Sequence, residues 1–195
     1  GVSDVEAQRV AHLLNCSLGS FPLKYLGLPI SPLKLLAKDF APVVTKVGNR
    51  VLSWRGWYNS QAGKVALTNS CLSSLPMFLM GFYLLSEGTH SGFDKHRGAF
   101  YWNSSDNKRK YRMVKWDLIC RPKNVGGLGI INTLVMNKCL MLKWWWKIMY
   151  LEDRPAWLAL LKAKYFPSSS PMFASSFGGS QFWRQLVKIR LIFRS

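Results

Sequence analysis

The sequence predicts a mainly α protein with one or two short extended segments. Apolar residues recur at helical spacing over 38–57 and 60–75, and a long apolar stretch at 132–150 has the length of a helix. Only residues 24–30 have the composition and punctuation of a strand. The chain has 195 residues and is 49% hydrophobic, enough to bury a core, so wholesale disorder is not expected.

The elements follow in order. Ser3-Asp4-Val5-Glu6 is a capping-box pattern and opens a helix over about 4–15, with Val5, Ala7, Val10, Leu13 and Leu14 as its expected buried side. Gly19 and Pro22 break it. Lys24 to Ile30, KYLGLPI, reads as a short extended segment at a sheet edge, because Pro29 has no N–H to give a ladder.

Lys38 to Trp57 is the clearest helix. Phe40, Val43, Val44, Val47, Val51 and Trp54 form one stripe, and Pro42 suits the first turn. Lys46 and Arg50, four apart, share the opposite face and read either as a solvated surface or as phosphate contacts. Ser60 to Leu75 is a second helix, with Val65, Leu67, Cys71, Leu72 and Leu75 inward and Pro76 ending or kinking it. Met77 to Leu85 is apolar at nearly every position, which implies deep burial or cover from another part of a larger protein. Gly88 and Gly92 bracket a break before a helix over about 93–102.

Residues 103–124 form the most basic loop, with seven cations, Lys108, Arg109, Lys110, Arg112, Lys115, Arg121 and Lys123, against two acids. Tyr111 and Trp116 are interleaved with them. Cations neutralise phosphates and an aromatic face stacks any base, so the pattern points to nucleic acid. Trp116 reads equally as a core anchor. Gly126-Gly127-Leu128-Gly129 lacks the GK[ST] ending of a phosphate loop and reads as a positive-φ turn into a short strand. Over 132–150, Trp144-Trp145-Trp146 cannot all face one way, so this helix is expected to lie between partners, with Lys143 and Lys147 on its narrow polar strip. Pro155 starts a further helix, 167–179 reads as a linker, and 181–193 is a last amphipathic piece whose partner is expected to be missing.

Charge bounds the function. Against 27 Lys+Arg stand 9 Asp+Glu, a formal net charge of +18, and a polyanion is the default partner. Cys16, Cys71, Cys120 and Cys139 have neither disulfide-scaffold nor zinc-site spacing and read as reduced, mostly buried thiols. No run reaches the ~18 apolar residues of a membrane span, and no signal-peptide pattern is present. The expected location is intracellular, nucleus or cytoplasm, not secreted. The start at Gly1 without a Met fits a segment cut from a longer chain. The adjacent carboxylates Glu152-Asp153 precede Arg154-Pro155 and read as a turn and helix start rather than a metal pair.

The motifs KYLGLPI (24–30), VLSW (51–54), AGKVALTNSCLSSLP (62–76), RGAFYWN (97–103), VKWDLICRPKNVGGLGI (114–130) and NKCLMLKWWWK (137–147), in this order, closely resemble the polyprotein of plant LINE-type non-LTR retrotransposons just after the reverse transcriptase active site. The likeness covers about residues 3–166. It implies that 1–32 is the end of the palm region, with Tyr25-Leu26-Gly27 as the primer-grip segment. It implies a thumb-like helical bundle over 33–102, a connector over 103–166, and a linker with a terminal helix fragment over 167–195. The paired aspartates of the family's active site are absent, so Mg²⁺ is implied only for a missing upstream palm, and a Cys/His-rich region is implied downstream. Lys64 stands where the family commonly has Arg, and Gly48 costs about 1 kcal/mol within a helix. Either is consistent with drift in a decaying copy.

The resulting expectation is a non-catalytic segment, without polymerase, nuclease or RNase H activity of its own and with no cofactor. It would hold template–primer nucleic acid by its backbone through Tyr25, Leu26, Gly27, Lys46, Arg50, Lys64, Lys108, Arg109, Lys110, Arg112 and Lys115. The alternatives are an inert remnant of a decayed element, or a basic helical module that binds a protein or an anionic membrane.

Overall fold

The computed structural model describes residues 3–54, 60–102, 114–151 and 155–194. These are mainly helical, as the sequence predicts. They fall into two compact units that meet in the chain at Leu35–Leu36, and the expected divisions at 102/103 and 166/167 both lie inside the second unit.

The first unit holds helix α1 (Asp4–Leu13) and an antiparallel hairpin, β1 (Leu23–Tyr25) with β2 (Leu28–Ile30). Ser3 caps α1, its hydroxyl accepting from the Glu6 N–H at 3.3 Å. The expected buried side is not buried. Val5, Val10, Leu13 and Leu14 are all exposed, and Ala11 is the buried residue of this helix. In the hairpin, Tyr25 pairs with Leu28, so Leu26 and Gly27 are the two turn residues, at φ 49° and 87°. That is the two-residue turn with positive φ at both centres, which suits Gly27 and strains Leu26.

The second unit opens with a 3₁₀ turn (Ala37–Phe40), closed by the Asp39 carboxylate accepting the Leu36 N–H at 2.7 Å, and runs into α2 (Ala41–Ser53). The stripe is only partly interior. Phe40 and Val47 are buried, Val43, Val44, Val51 and Trp54 half-buried. The helix α5 (Glu87–Trp102) packs across α2. No break occurs at Gly88 or Gly92, because both lie within α5, whose start is capped by the Ser86 hydroxyl accepting from the Thr89 N–H at 3.3 Å. A Cβ on Gly92 would meet Val44 Cγ1 at 3.1 Å, and one on Gly48 would meet His96 Cε1 at 2.8 Å. The two helices cross where each lacks a side chain, so Gly48 has a packing reason and drift need not explain it.

Helix α3 (Gln61–Leu67), capped by Ser60, continues as a π-helical turn over Thr68–Leu72. The inward set is shifted from the expected one. Lys64, Thr68, Leu72 and Ser73 are buried, while Val65, Leu67, Cys71 and Leu75 are half-buried. A short helix α4 (Met77–Met80) and an irregular stretch to Leu85 follow, with Leu79, Met80 and Leu85 buried and Phe78 exposed.

After Lys115 come α6 (Trp116–Ile119) and a 3₁₀ turn (Lys123–Val125). The glycines do make the expected turn, with Gly126 at φ 85° and Gly129 at φ 67°. A Cβ on Gly127 would fall 1.9 Å from the Arg121 carbonyl, so only glycine fits there. The expected strand is not formed. The Asn69 amide instead takes the local main chain, donating to Gly129 O at 2.9 Å and accepting from Ile131 N at 3.0 Å.

The long helix α7 (Thr133–Tyr150), capped by Asn132, is followed by α8 (Ala156–Tyr165) and α9 (Gln181–Arg194). The expectation of a missing partner for 181–193 is overturned. Trp183, Leu186 and Ile189 of α9 pack with Met141, Trp145 and Ile148 of α7 in one buried cluster, and Trp145 Nε1 donates to Leu186 O at 2.8 Å. The 167–179 stretch is tied to α9 rather than loose, with Ala174 buried, Trp183 Nε1 donating to Ser175 O at 2.8 Å and Arg190 to Ala174 O at 2.9 Å. Around α7, Trp145 is fully buried, Trp144 half-buried and Trp146 exposed, so this helix is covered on one side.

Two polar groups with no exposed surface organise this unit. Asn137 on α7 donates to Met80 O at 2.7 Å and Tyr83 O at 2.9 Å, and accepts from Leu85 N at 2.8 Å. Its Oδ1 also meets His90 Nε2 at 3.3 Å, while His90 Nδ1 meets Thr133 Oγ1 at 3.1 Å. Arg97 on α5 donates to Ser73 Oγ at 2.7 Å and Ile131 O at 2.8 Å, pairs with Asp94, and lies 5.5 Å over the Trp116 ring.

Asn137→Ala strands two carbonyls and one N–H of the 80–85 stretch, so urea unfolding should show a loss of about 3 kcal/mol. Gly48→Ala should destabilise more in the wild-type background than beside His96→Ala, a double-mutant cycle that isolates the close approach. Burial holds the His90 imidazole below its ordinary value, so His90 stays neutral in the fold. As pH falls below about 6.5 the unfolded chain takes up that proton first, and stability drops by at most about 1.4 kcal/mol per unit until the folded pKa is passed. His90→Gln should flatten that part of a stability–pH curve between pH 7 and 5.

Candidate nucleic-acid interface

Among the described residues, Arg97 and Lys64 are the buried cations, and most other charges lie at the surface. The one ion pair among the described residues is the internal Arg97–Asp94 pair. Asp39 and Asp94 are half-buried and hydrogen-bonded to the Leu36 N–H and the Arg97 guanidinium, and Asp4, Glu6, Glu87 and Asp117 are exposed but form no ion pair with the exposed cations Lys46, Arg50 and Lys115.

Lys46 and Arg50 are both exposed on α2, one turn apart and away from the face that meets α5. The Arg50 guanidinium lies 5.7 Å over the Trp54 ring, which fixes its stem against the helix end. Lys115 is exposed just before α6. Lys64 does not join them, because it turns inward, nine-tenths buried, with Nζ 3.5 Å from the Tyr101 carbonyl. Lys108, Arg109, Lys110 and Arg112, with Tyr111, lie outside the described residues. Trp116 takes the anchoring role of its two alternatives, packed on Tyr101 at 6.5 Å between ring centroids and against Gly98. In the first unit, Tyr25 and Leu26 are exposed at the hairpin tip beside Gly27.

Sequence reasoning missed a groove of about 190 Å³ between α4 and α7, walled by Phe78, Phe82 and Trp144 and edged by Lys143 and Lys147. Lys147 Nζ stands 5.2 Å from the Trp144 ring centroid. The signal was the lysine strip on the tryptophan-rich helix, but nothing in the spacing placed the 77–82 aromatics against it.

The cysteines are not the buried set expected. Cys16 and Cys139 are exposed, Cys71 and Cys120 half-buried. Burial pushes the Cys120 thiol up to about 11, so at neutral pH it is a neutral thiol. The described residues bring together no group of three His, Cys, Asp or Glu side chains that fits a metal ion. Glu152 and Asp153 lie outside the described residues. No described helix is long and apolar enough to cross a membrane.

No protein-family model matches the chain, and no solved structure does. Among curated proteins, it is 32% identical over 138 residues to an Arabidopsis thaliana protein named "Putative ribonuclease H protein At1g65750", covering 71% of this chain and 22% of that protein. The chain thus spans about a fifth of that relative's length. It is 31% identical over 116 residues to the Arabidopsis thaliana "Uncharacterized mitochondrial protein AtMg00310", covering 58% of this chain and 75% of that protein. At that identity and coverage, the chain belongs to the same protein family as this uncharacterized mitochondrial protein.

Proposed function

We propose that this chain derives from a transposable element of the non-LTR retrotransposon type and is a non-catalytic part of its reverse transcriptase that holds a template–primer duplex by its backbone. The observation that carries the reading is the excess of cations, 27 against 9 acids, with exposed ones on α2 and near α6 that have no carboxylate in contact. A net charge of +18 supplies the field, and phosphate contacts need no reading of bases. The ordered motifs of the sequence support the family assignment, and a relative named as a ribonuclease H protein fits a nucleic-acid setting.

In this reading Lys46, Arg50, Lys115 and the basic run Lys108, Arg109, Lys110 and Arg112 meet phosphates. Tyr25, Leu26 and Gly27 form the primer grip, presented by a strained hairpin tip. Lys64 has a different part, holding α3 against the end of α5. Any metal chemistry would belong to a palm and not to this segment.

The test is a salt titration of duplex binding by the wild-type chain and by Lys46→Gln/Arg50→Gln. The double variant should bind all duplex sequences more weakly by the same factor. Its slope of log affinity against log salt should be lower by roughly 0.9 for each phosphate of B-form DNA that it no longer neutralises. An unchanged slope would show that these two residues only face solvent.

A further inference from the structure

We propose that the groove between α4 and α7 takes one unpaired base of a single-stranded nucleic-acid tail, with the neighbouring phosphates on Lys143 and Lys147. The inference rests on the reading that this chain binds nucleic acid and adds a site that a duplex cannot use.

The groove is built before any ligand arrives. The Trp144 indole N–H donates to Gly81 O at 2.7 Å, and Trp157 and Phe182 back the same ring at 5.4 and 5.3 Å, nearly perpendicular to it. Phe82 stands 5.8 Å from Trp144, and Phe78 stands 5.4 Å from Phe82. Phe78 keeps 53% of its surface exposed beside Phe82 at the groove. The groove therefore has an aromatic lining in which Trp144 is already held in place.

The size and charge select the occupant. About 190 Å³ holds a single ring system and excludes a duplex. The lining residues include two lysines and no carboxylate. Apolar walls alone would suit any apolar partner. A flat apolar group attached to anions is the complement of flat apolar walls edged by two cations, and an unpaired nucleotide is that combination. Lys143 and Lys147 are four residues apart on α7, so both ammonium groups rise on one side of the groove.

The experiment measures fluorescence anisotropy of the full chain on three labelled ligands: a blunt duplex, the same duplex with a short single-stranded overhang, and that overhang with abasic sugars. The natural overhang should tighten binding, and the abasic overhang, which keeps its phosphates, should lose most of the gain. Phe78→Ala, at an exposed position, should cut the overhang's advantage about five-fold or more while leaving blunt-duplex affinity unchanged. Lys143→Gln/Lys147→Gln should flatten the salt dependence of the overhang gain. An abasic overhang that binds as tightly as the natural one, or an advantage that survives Phe78→Ala, overturns the inference. Occupation of the groove by an acidic, tryptophan-bearing peptide with no effect from the overhang assigns the site to a protein partner and overturns it too. Blunt-duplex binding without an overhang gain sinks this inference alone. Overhang binding without blunt-duplex binding keeps it and sinks the duplex function.

Discussion

The second unit depends on one amide. Asn137 has no exposed surface, and it has two donors and two acceptor positions to satisfy. It commits the donors to Met80 O and Tyr83 O, and the acceptors to Leu85 N and His90 Nε2. From Met80 to Tyr83 the N–H groups bond back to carbonyls of residues 76–79, but Leu84 and Leu85 turn to side chains, those of Gln185 and Asn137, with Met80 and Leu85 buried. Buried main-chain groups left unpaired cost about 1–3 kcal/mol each, so a run this apolar is tolerated because side chains take the groups its own backbone leaves, Asn137 and Trp144 from α7 and Gln185 from α9. Through His90 the same amide reaches α5. Asn137 thus ties α7 to both α4 and α5, and Trp144 on Gly81 O and Thr133 on His90 add to the same two contacts.

Arg97 does the equivalent work at the other end of the unit. A fully buried guanidinium is costly without partners, and Ser73, Ile131 and Asp94 supply them from the α3–α4 turn, the approach to α7, and α5 itself. The crossing of α5 over α2 is set by a different means. Gly48 and Gly92 each leave room that a methyl group would fill, against His96 and Val44 respectively. The helical propensity lost at Gly48, about 1 kcal/mol, is exchanged for a close interhelical contact that no other residue permits unchanged. With that side of α2 committed to α5, Lys46 and Arg50 are left on the outside.

What the sequence made legible were features that local chemistry decides: the cap Ser3, the helix starts at Ser60 and Asn132, extended structure within KYLGLPI though not its folding back as a hairpin, the length of α7, and the glycine turn at 126 and 129. What it hid was decided by distant contacts. Periodicity marks a face as apolar but not as covered, so the apolar side of α1 reads as buried and stands exposed. Glycine at 88 and 92 signals a break unless a neighbouring helix needs the space, and α2 needs it at Gly92. Lysine reads as surface, but Lys64 reaches a main-chain carbonyl 37 residues away that no local pattern announces. The strand expected after Gly129 had no neighbour to pair with, and the Asn69 amide took its hydrogen bonds instead. In the candidate interface, α2's pair of cations was readable from i,i+4 spacing. The groove was not, because its walls come from segments about sixty residues apart.

The motifs that carry the family resemblance acquire a physical meaning from this packing. Arg97 of RGAFYWN, Ser73 of SCLSSLP and Asn137 of NKCLMLKWWWK are all buried and hydrogen-bonded. Gly127 of GGLG sits where only glycine fits. None of these side chains is placed to touch a large ligand, so the motifs describe how the scaffold closes rather than what it binds. Binding, if it is electrostatic, asks much less of the sequence. A phosphate is satisfied by any cation that reaches it, and an exposed lysine can move a turn along a helix without disturbing the core. The residues most diagnostic of this fold and the residues that face a polyanion are therefore largely separate sets. The groove is where they meet. Trp144 is held by Gly81 O, Trp157 and Phe182 and also lines the groove beside Lys143 and Lys147, so packing and recognition there constrain the same side chain.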